Sequence, residues 1–192
     1  MNEFERRAFC KDAKFNTRDE NGNLYIEGYF AVFGSSYEMW KGAIEQIDQE
    51  AFVNTLKNDD IRALVNHDTS LVLGRTTAGT LTLNTDERGL FGSILINRQD
   101  QDAMNLYERV KRGDVSQCSF GFDIIRQEIE EEEDGKVIFT LKEVKLYEVS
   151  VVTFPAYEET EVSARKKDYE IIRQKKNELW RNEMKKKLRE EK

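Results

Sequence analysis

Ser119-Phe120-Gly121-Phe122 and Leu146-Tyr147-Glu148-Val149-Ser150-Val151-Val152 are strand-like runs on either side of the acidic stretch Glu130-Glu131-Glu132-Glu133-Asp134-Gly135. An Asp-Gly pair between β runs is a strong hairpin signal. With Asp134 and Gly135 as the two turn residues, Ser119 falls opposite Ser150, Phe120 opposite Val149, Gly121 opposite Glu148, and Phe122 opposite Tyr147. Cross-strand partners share a face of the sheet. One face then carries Ser119, Gly121, Glu148 and Ser150; the other carries Phe120, Phe122, Tyr147, Val149 and Val151. The hairpin sorts itself into a small, polar face and an apolar core face. Ser119 and Glu148 become diagonal neighbours, roughly 7–8 Å apart at the backbone. A bulge in so long a hairpin would slip the register and spoil this sorting.

The flanking sequence is also β-rich. Leu24–Phe33 reads as a strand entered through an Asn21-Gly22 turn. Asp48 is placed to cap a short helix through about Lys57, with Phe52, Val53 and Leu56 on one side. Ile61–His67 reads as a strand on which Ile61, Ala63, Val65 and His67 share a face, because side chains alternate. Leu71–Leu73, Gly79–Leu83 and Leu90–Ile96 are further strands. Asp100 caps a second helix running to about Arg112, with a stripe of Met104, Tyr107 and Val110 and with Gly113 at the C′ position. Arg112-Gly113-Asp114 is thus a helix end rather than an adhesion motif. The fold class expected is α+β, mainly β, with short helices and a C-terminal helical extension.

The chain of 192 residues suits one domain, residues 1–163, followed by an appendage, residues 164–192. Its net charge of −7 conceals an asymmetry, because the tail carries about +6 and the remainder about −13. An acidic body does not attract nucleic acid through its overall field, and the tail is the only part with the sign for it. No apolar run approaches the roughly 20 residues of a membrane span, and the N-terminus lacks the apolar core of a signal peptide. Two cysteines, Cys10 and Cys118, make no disulfide framework and suit no metal site, so a reduced, cytosolic protein is expected. The acidic run at 130–134 reads as a solvated hairpin tip, since it lacks the ligand alternation of a calcium loop. No cofactor or metal is expected. The tail, with Tyr169, Ile172, Leu179, Trp180, Met184 and Leu188 at helical spacing, reads as an exposed amphipathic helix, an extension, or a docking segment.

Chemistry concentrates on few residues. His67 is the chain's only histidine. Glu148 stands among valines, where a carboxylate is costly to bury without a polar partner. Ser119 as nucleophile, His67 as base and Glu148 as orienting acid form a short list for acyl transfer. Each also has a plain structural reading: a strand serine, a structural histidine, a hydrogen-bonded carboxylate. Cys118 is a rival nucleophile, although alternation points it to the opposite face from Ser119. Arg75 is a candidate for stabilising an oxyanion, or else an ordinary surface arginine.

The ordered blocks Val65-Asn66-His67-Asp68, Leu73-Gly74-Arg75-Thr76, Gly89-Leu90, Arg112-Gly113-Asp114-Val115-Ser116-Gln117-Cys118-Ser119-Phe120-Gly121-Phe122 and Glu148-Val149-Ser150-Val151-Val152-Thr153-Phe154-Pro155-Ala156-Tyr157 resemble the prohead (capsid maturation) serine proteases of HK97-type tailed bacteriophages. The resemblance runs from about Tyr25 to Thr160. It implies a fold like that of the herpesvirus assemblins, a mixed β barrel with surrounding short helices, with His67 and Ser119 as catalytic pair and Glu148 as candidate third member. It implies a serine endopeptidase whose partners are the major capsid protein and its scaffolding segment, or a separate scaffold. Such an enzyme works inside the immature capsid in the cytoplasm of the bacterial host, cuts itself as well, and self-associates as the herpesvirus relatives do. The basic tail then fits a targeting or self-removed segment. The competing reading is a catalytically silent capsid-assembly or scaffold protein on the same fold.

Overall fold

A computed structural model of the chain describes residues 5–7, 15–132 and 135–154, together with residues 166, 169–171, 173–174, 178, 181 and 184. The chain divides into two units, Met1–Tyr157 and Glu158–Lys192. In the first, the strands run β1 (Glu5–Arg7), β2 (Asn16–Glu20), β3 (Asn23–Val32), β4 (Ser36–Trp40) and β5 (Ala43–Ile47). Helix α1 (Val53–Asn58) precedes β6 (Arg62–Val65), β7 (Asp68–Arg75), β8 (Leu81–Thr85) and β9 (Gly89–Ile96). Helix α2 (Gln101–Arg112) precedes the long pair β10 (Gln117–Glu131) and β11 (Val137–Val152). Among the described residues, no helix is long and apolar enough to cross a membrane.

Two sheets result. The smaller has the order β2-β3-β9-β8 and is antiparallel throughout. The larger is mixed and built on β11. Strand β10 pairs with β11 along one edge, and β1 adds outside β10. On the other edge, Val137–Leu141 pairs in parallel with β5, and Glu148–Val151 pairs in parallel with β6. Strand β4 then adds to β5, and β7 adds to β6. The gap between β5 and β6 would strand β11 amides, and buried N–H groups need partners. The segment around α1 fills it: Val144 N–H donates to the Ala51 carbonyl at 3.1 Å, and Leu146 N–H to Thr55 Oγ1 at 2.8 Å. Thr55 is accordingly buried.

Mainly-β α+β architecture is as the sequence led one to expect, but no closed barrel forms among the described residues. The ladders leave two sheets with separate edges and no strand pairing between them among the described residues. Phe30, Ile26, Leu90 and Ile94 from the small sheet and Phe120, Phe122, Leu146 and Val149 from the large one are buried in one cluster. Burying a side chain of this size contributes about 1.5–3 kcal/mol. Phe120 packs at 5.0 Å from Phe122 and edge-on to Phe52 at 5.7 Å.

Helix α2 follows its sequence signals. Asp100 Oδ1 accepts from the backbone N–H groups of Asp102 and Ala103, and Gly113 ends the helix at a φ of 89°. Helix α1 does not. It starts at Val53 behind Phe52 with no side-chain cap, and Val53 is exposed. Asp48 instead accepts from Glu50 N–H at 2.9 Å and pairs with Lys142 at 2.6 Å. Those contacts, led by the Lys142 hydrogen bond, lower its pKa. The described tail residues are helical, including Tyr169 and Met184; Ile172, Leu179, Trp180 and Leu188 lie outside the described residues.

The approach of β3 to β9 is tightest at Gly89, where a Cβ would stand 2.0 Å from the Ala31 carbonyl oxygen. That oxygen is backbone in the middle of a sheet and cannot swing aside. Gly89→Ala is therefore expected to cost about 1–3 kcal/mol, read as a lower denaturant midpoint with an unchanged slope.

Candidate active site

The β10–β11 register at Ser119 is the one the sequence implies: Ser119↔Ser150, Phe120↔Val149 and Gly121↔Glu148. The route to it is different. At the tip, Glu131 pairs with Val137 and the Glu132 N–H donates to the Lys136 carbonyl at 2.8 Å, so the connection is longer than two residues. Asp134, assigned to the turn, lies outside the described residues. Register shifts between Ile124 and Arg126, between Arg126 and Gln127, and between Gly121 and Phe122 together restore the alignment. The last shift displaces Tyr147, so Phe122 faces Leu146 instead. Tyr147 leaves the core face, and its hydroxyl donates to Asp123 at 2.7 Å; that bond pushes its pKa up to about 12. The bulge sits one residue before Glu148, as bulges beside functional positions often do.

His67 lies just past the end of β6, not on it. Val65 pairs with Asp68, so Asn66 and His67 form a two-residue hairpin loop, with φ of 50° and 61°. Positive φ at both positions is what a type I′ turn requires, and it is uncommon for residues other than glycine. The expected alternation of Ile61, Ala63, Val65 and His67 thus stops at Val65. The loop is clamped onto β11 at several points. Asn66 N–H donates to the Val151 carbonyl at 3.0 Å, Thr153 N–H donates to Asn66 Oδ1 at 2.8 Å, and His67 N–H donates to Ser150 Oγ at 3.2 Å.

This clamp sets the imidazole on Glu148. His67 Nδ1 lies 2.7 Å from Glu148 Oε1, and Ser150 Oγ donates to Glu148 Oε2 at 2.5 Å. Glu148 is 2% exposed. An ionised carboxylate only accepts hydrogen bonds, so it fixes the proton of a neutral imidazole on Nδ1 and leaves the lone pair on Nε2. Nε2 is buried and has no hydrogen-bond partner among the described residues. Ser150 stands between the two halves of the constellation: it pairs with Ser119 across the ladder and binds both Glu148 and the His67 backbone. The sequence put Ser150 on this face without giving it a task; its place opposite Ser119 was the available signal.

Ser119 is fully buried, and its Oγ donates to the Arg7 carbonyl of β1 at 2.9 Å. Its hydroxyl proton is therefore directed to the backbone of β1 rather than to His67. Cys118 turns to the other face, away from Ser119; it is 1% exposed, and its Sγ lies 3.3 Å from the Tyr29 carbonyl oxygen. Arg75 is on β7, with β6 between it and β11. Its guanidinium is held by Asp60, and that pairing drives the Asp60 carboxyl well below the usual carboxylate range. A carboxylate beside a lone-pair-bearing imidazole, with a serine on the neighbouring strand, is an arrangement able to activate a hydroxyl for acyl transfer.

No solved structure matches the chain. Over 110 residues it is 33% identical to a protein named prohead protease from Escherichia phage T5; the match covers 57% of this chain and 47% of that protein. The chain thus spans about half the length of the curated relative it matches. Residues 11–175, most of the sequence, match the family described as caudovirus prohead serine protease, and the chain belongs to that family.

Proposed function

We propose that the chain is a serine endopeptidase of capsid maturation, with Ser119 as nucleophile, His67 as general base and acid, and Glu148 as the residue that positions and charges-stabilises the imidazole. The Glu148–His67 Nδ1 hydrogen bond at 2.7 Å, with Nε2 left open, carries this reading. In the reaction, Ser119 Oγ bonds to the substrate carbonyl carbon while His67 Nε2 takes its proton. The imidazolium is stabilised by Glu148 and returns the proton to the leaving amine as the C–N bond breaks. Water then repeats the sequence on the acyl-enzyme, releasing the acid and restoring Ser119. Arg75 has no part in this scheme, because Asp60 occupies its guanidinium.

Family membership and the name of the phage T5 relative support a capsid substrate. The scheme takes as substrate the scaffolding segment of the major capsid protein, or a separate scaffold, inside the immature capsid in the host cytoplasm. Self-cleavage, self-association and a targeting role for residues 164–192 belong to the same reading. Co-expression with the major capsid protein of the same virus, followed by intact-mass analysis of every chain, tests it. Removal of a scaffolding segment by the unaltered enzyme and not by Ser119→Ala is expected. Capsid assembly with every chain intact would favour a catalytically silent assembly protein instead.

A further inference from the structure

Among the described residues, strand β10 has β11 on one side and the three residues of β1 on the other, beside Ser119. Glu5, Arg6 and Arg7 run antiparallel to β10, opposite Phe122, Gly121 and Phe120. The Arg7 carbonyl receives the Ser119 hydroxyl, and Ser119 is 0% exposed beneath it. A hydroxyl in that state cannot meet another peptide, so β1 must leave before any substrate carbonyl can take its place.

The Arg7 side chain is anchored as well. It is 4% exposed, and its Nε donates to Oε2 of the fully buried Glu45 at 2.8 Å. Its Nη2 donates to Glu5 Oε2 at 2.5 Å, and its guanidinium carbon lies 6.0 Å from the centre of the Phe122 ring. A sheet edge reads an extended peptide through its backbone and selects it through side-chain pockets. Here the edge, the nucleophile and the buried Glu45 carboxylate all meet Arg7, one residue of an added strand.

We propose, building on the peptidase reading, that the outer edge of β10 is the substrate slot and that β1 fills it as a tethered peptide. The ligand class is an extended peptide that adds antiparallel to Phe120–Phe122. It bears arginine or lysine at the residue whose carbonyl faces Ser119, and Glu45 receives that cation. Strand β1 thereby holds the enzyme in a self-blocked state, and the substrate competes with it for the same edge.

The test uses the full chain and a dye-labelled synthetic peptide of residues 3–9, Glu-Phe-Glu-Arg-Arg-Ala-Phe, followed by fluorescence anisotropy. Arg7→Glu sets a carboxylate against Glu45 and should free the slot, so the peptide is expected to bind this variant about tenfold more tightly than the unaltered protein. The same peptide with glutamate at the Arg7 position should bind the variant about tenfold more weakly. Equal binding to the variant and the unaltered protein, or indifference to the reversed charge, overturns the assignment. Should Arg7→Glu fail to fold, Arg7→Ala takes its place with the same expectations. Labelling of Ser119 by a serine-reactive phosphonate separates this assignment from the peptidase reading. Peptide binding with no labelling in any variant keeps the slot and sinks the peptidase; labelling that the bound peptide does not slow keeps the peptidase and sinks the slot.

Discussion

Ser119→Ala is expected to lower the turnover number for peptide cleavage by about a million-fold, since a serine hydrolase without its nucleophile retains only what binding and electrostatics supply. The fold should survive. The hydroxyl makes one neutral hydrogen bond, to the Arg7 carbonyl, and losing such a bond costs about 1 kcal/mol. Alanine also fits the same strand position without a new polar atom to satisfy. Cleavage followed by intact mass, with thermal unfolding measured on the same preparation, reads both quantities. A folded variant that cleaves at a hundredth of the normal rate would place the nucleophile elsewhere.

Glu148→Gln carries the second large effect. The side chain keeps its size at a site where Glu148 is 2% exposed, and the amide can still accept from His67 Nδ1. Its NH2 group would then face Ser150 Oγ, which now donates to Oε2. Either the amide or Ser150 must turn, and the negative charge that stabilises the imidazolium is gone. A loss of about 10³–10⁴ in turnover is expected, with little change in KM, because the charge is needed only as the proton transfers. Glu148→Ala should add a folding defect of about 1–3 kcal/mol, since it strands the buried partners of the carboxylate. Kinetics of the glutamine variant and denaturant unfolding of both variants separate the two roles. A glutamine variant with normal turnover would reduce Glu148 to a structural carboxylate.

The hairpin shows how far sequence reading reaches. The alternation of Ser119, Phe120, Gly121 and Phe122 against Glu148, Val149 and Ser150 was legible because one face must be buried and the other must not. The pairing at Ser119 held even though the tip is not a two-residue turn, because the register shifts farther along compensate for it. Tyr147 was misplaced for the same reason: nothing in the local pattern marks which residue a bulge will expel. His67 was found as the sole imidazole, but its turn was not, since Asn-His lacks the glycine that usually announces positive φ. Ser150 lies in a recognisable block that gives it no task, and Arg7 and Glu45 belong to no motif. Their contacts join residues far apart in the chain, the Arg7–Glu45 bond spanning 38 positions and the Ser119–Arg7 bond 112, and only the folded topology brings them together.

Transfer of the Ser119 proton to His67 is tested most directly by phosphonate capture, with peptide mapping to locate the adduct, in the unaltered chain and in His67→Ala. A single adduct on Ser119, formed about 10⁴-fold more slowly without the imidazole, is the expected result. Capture at equal rates in the two proteins, or an adduct on any other residue, would contradict the account.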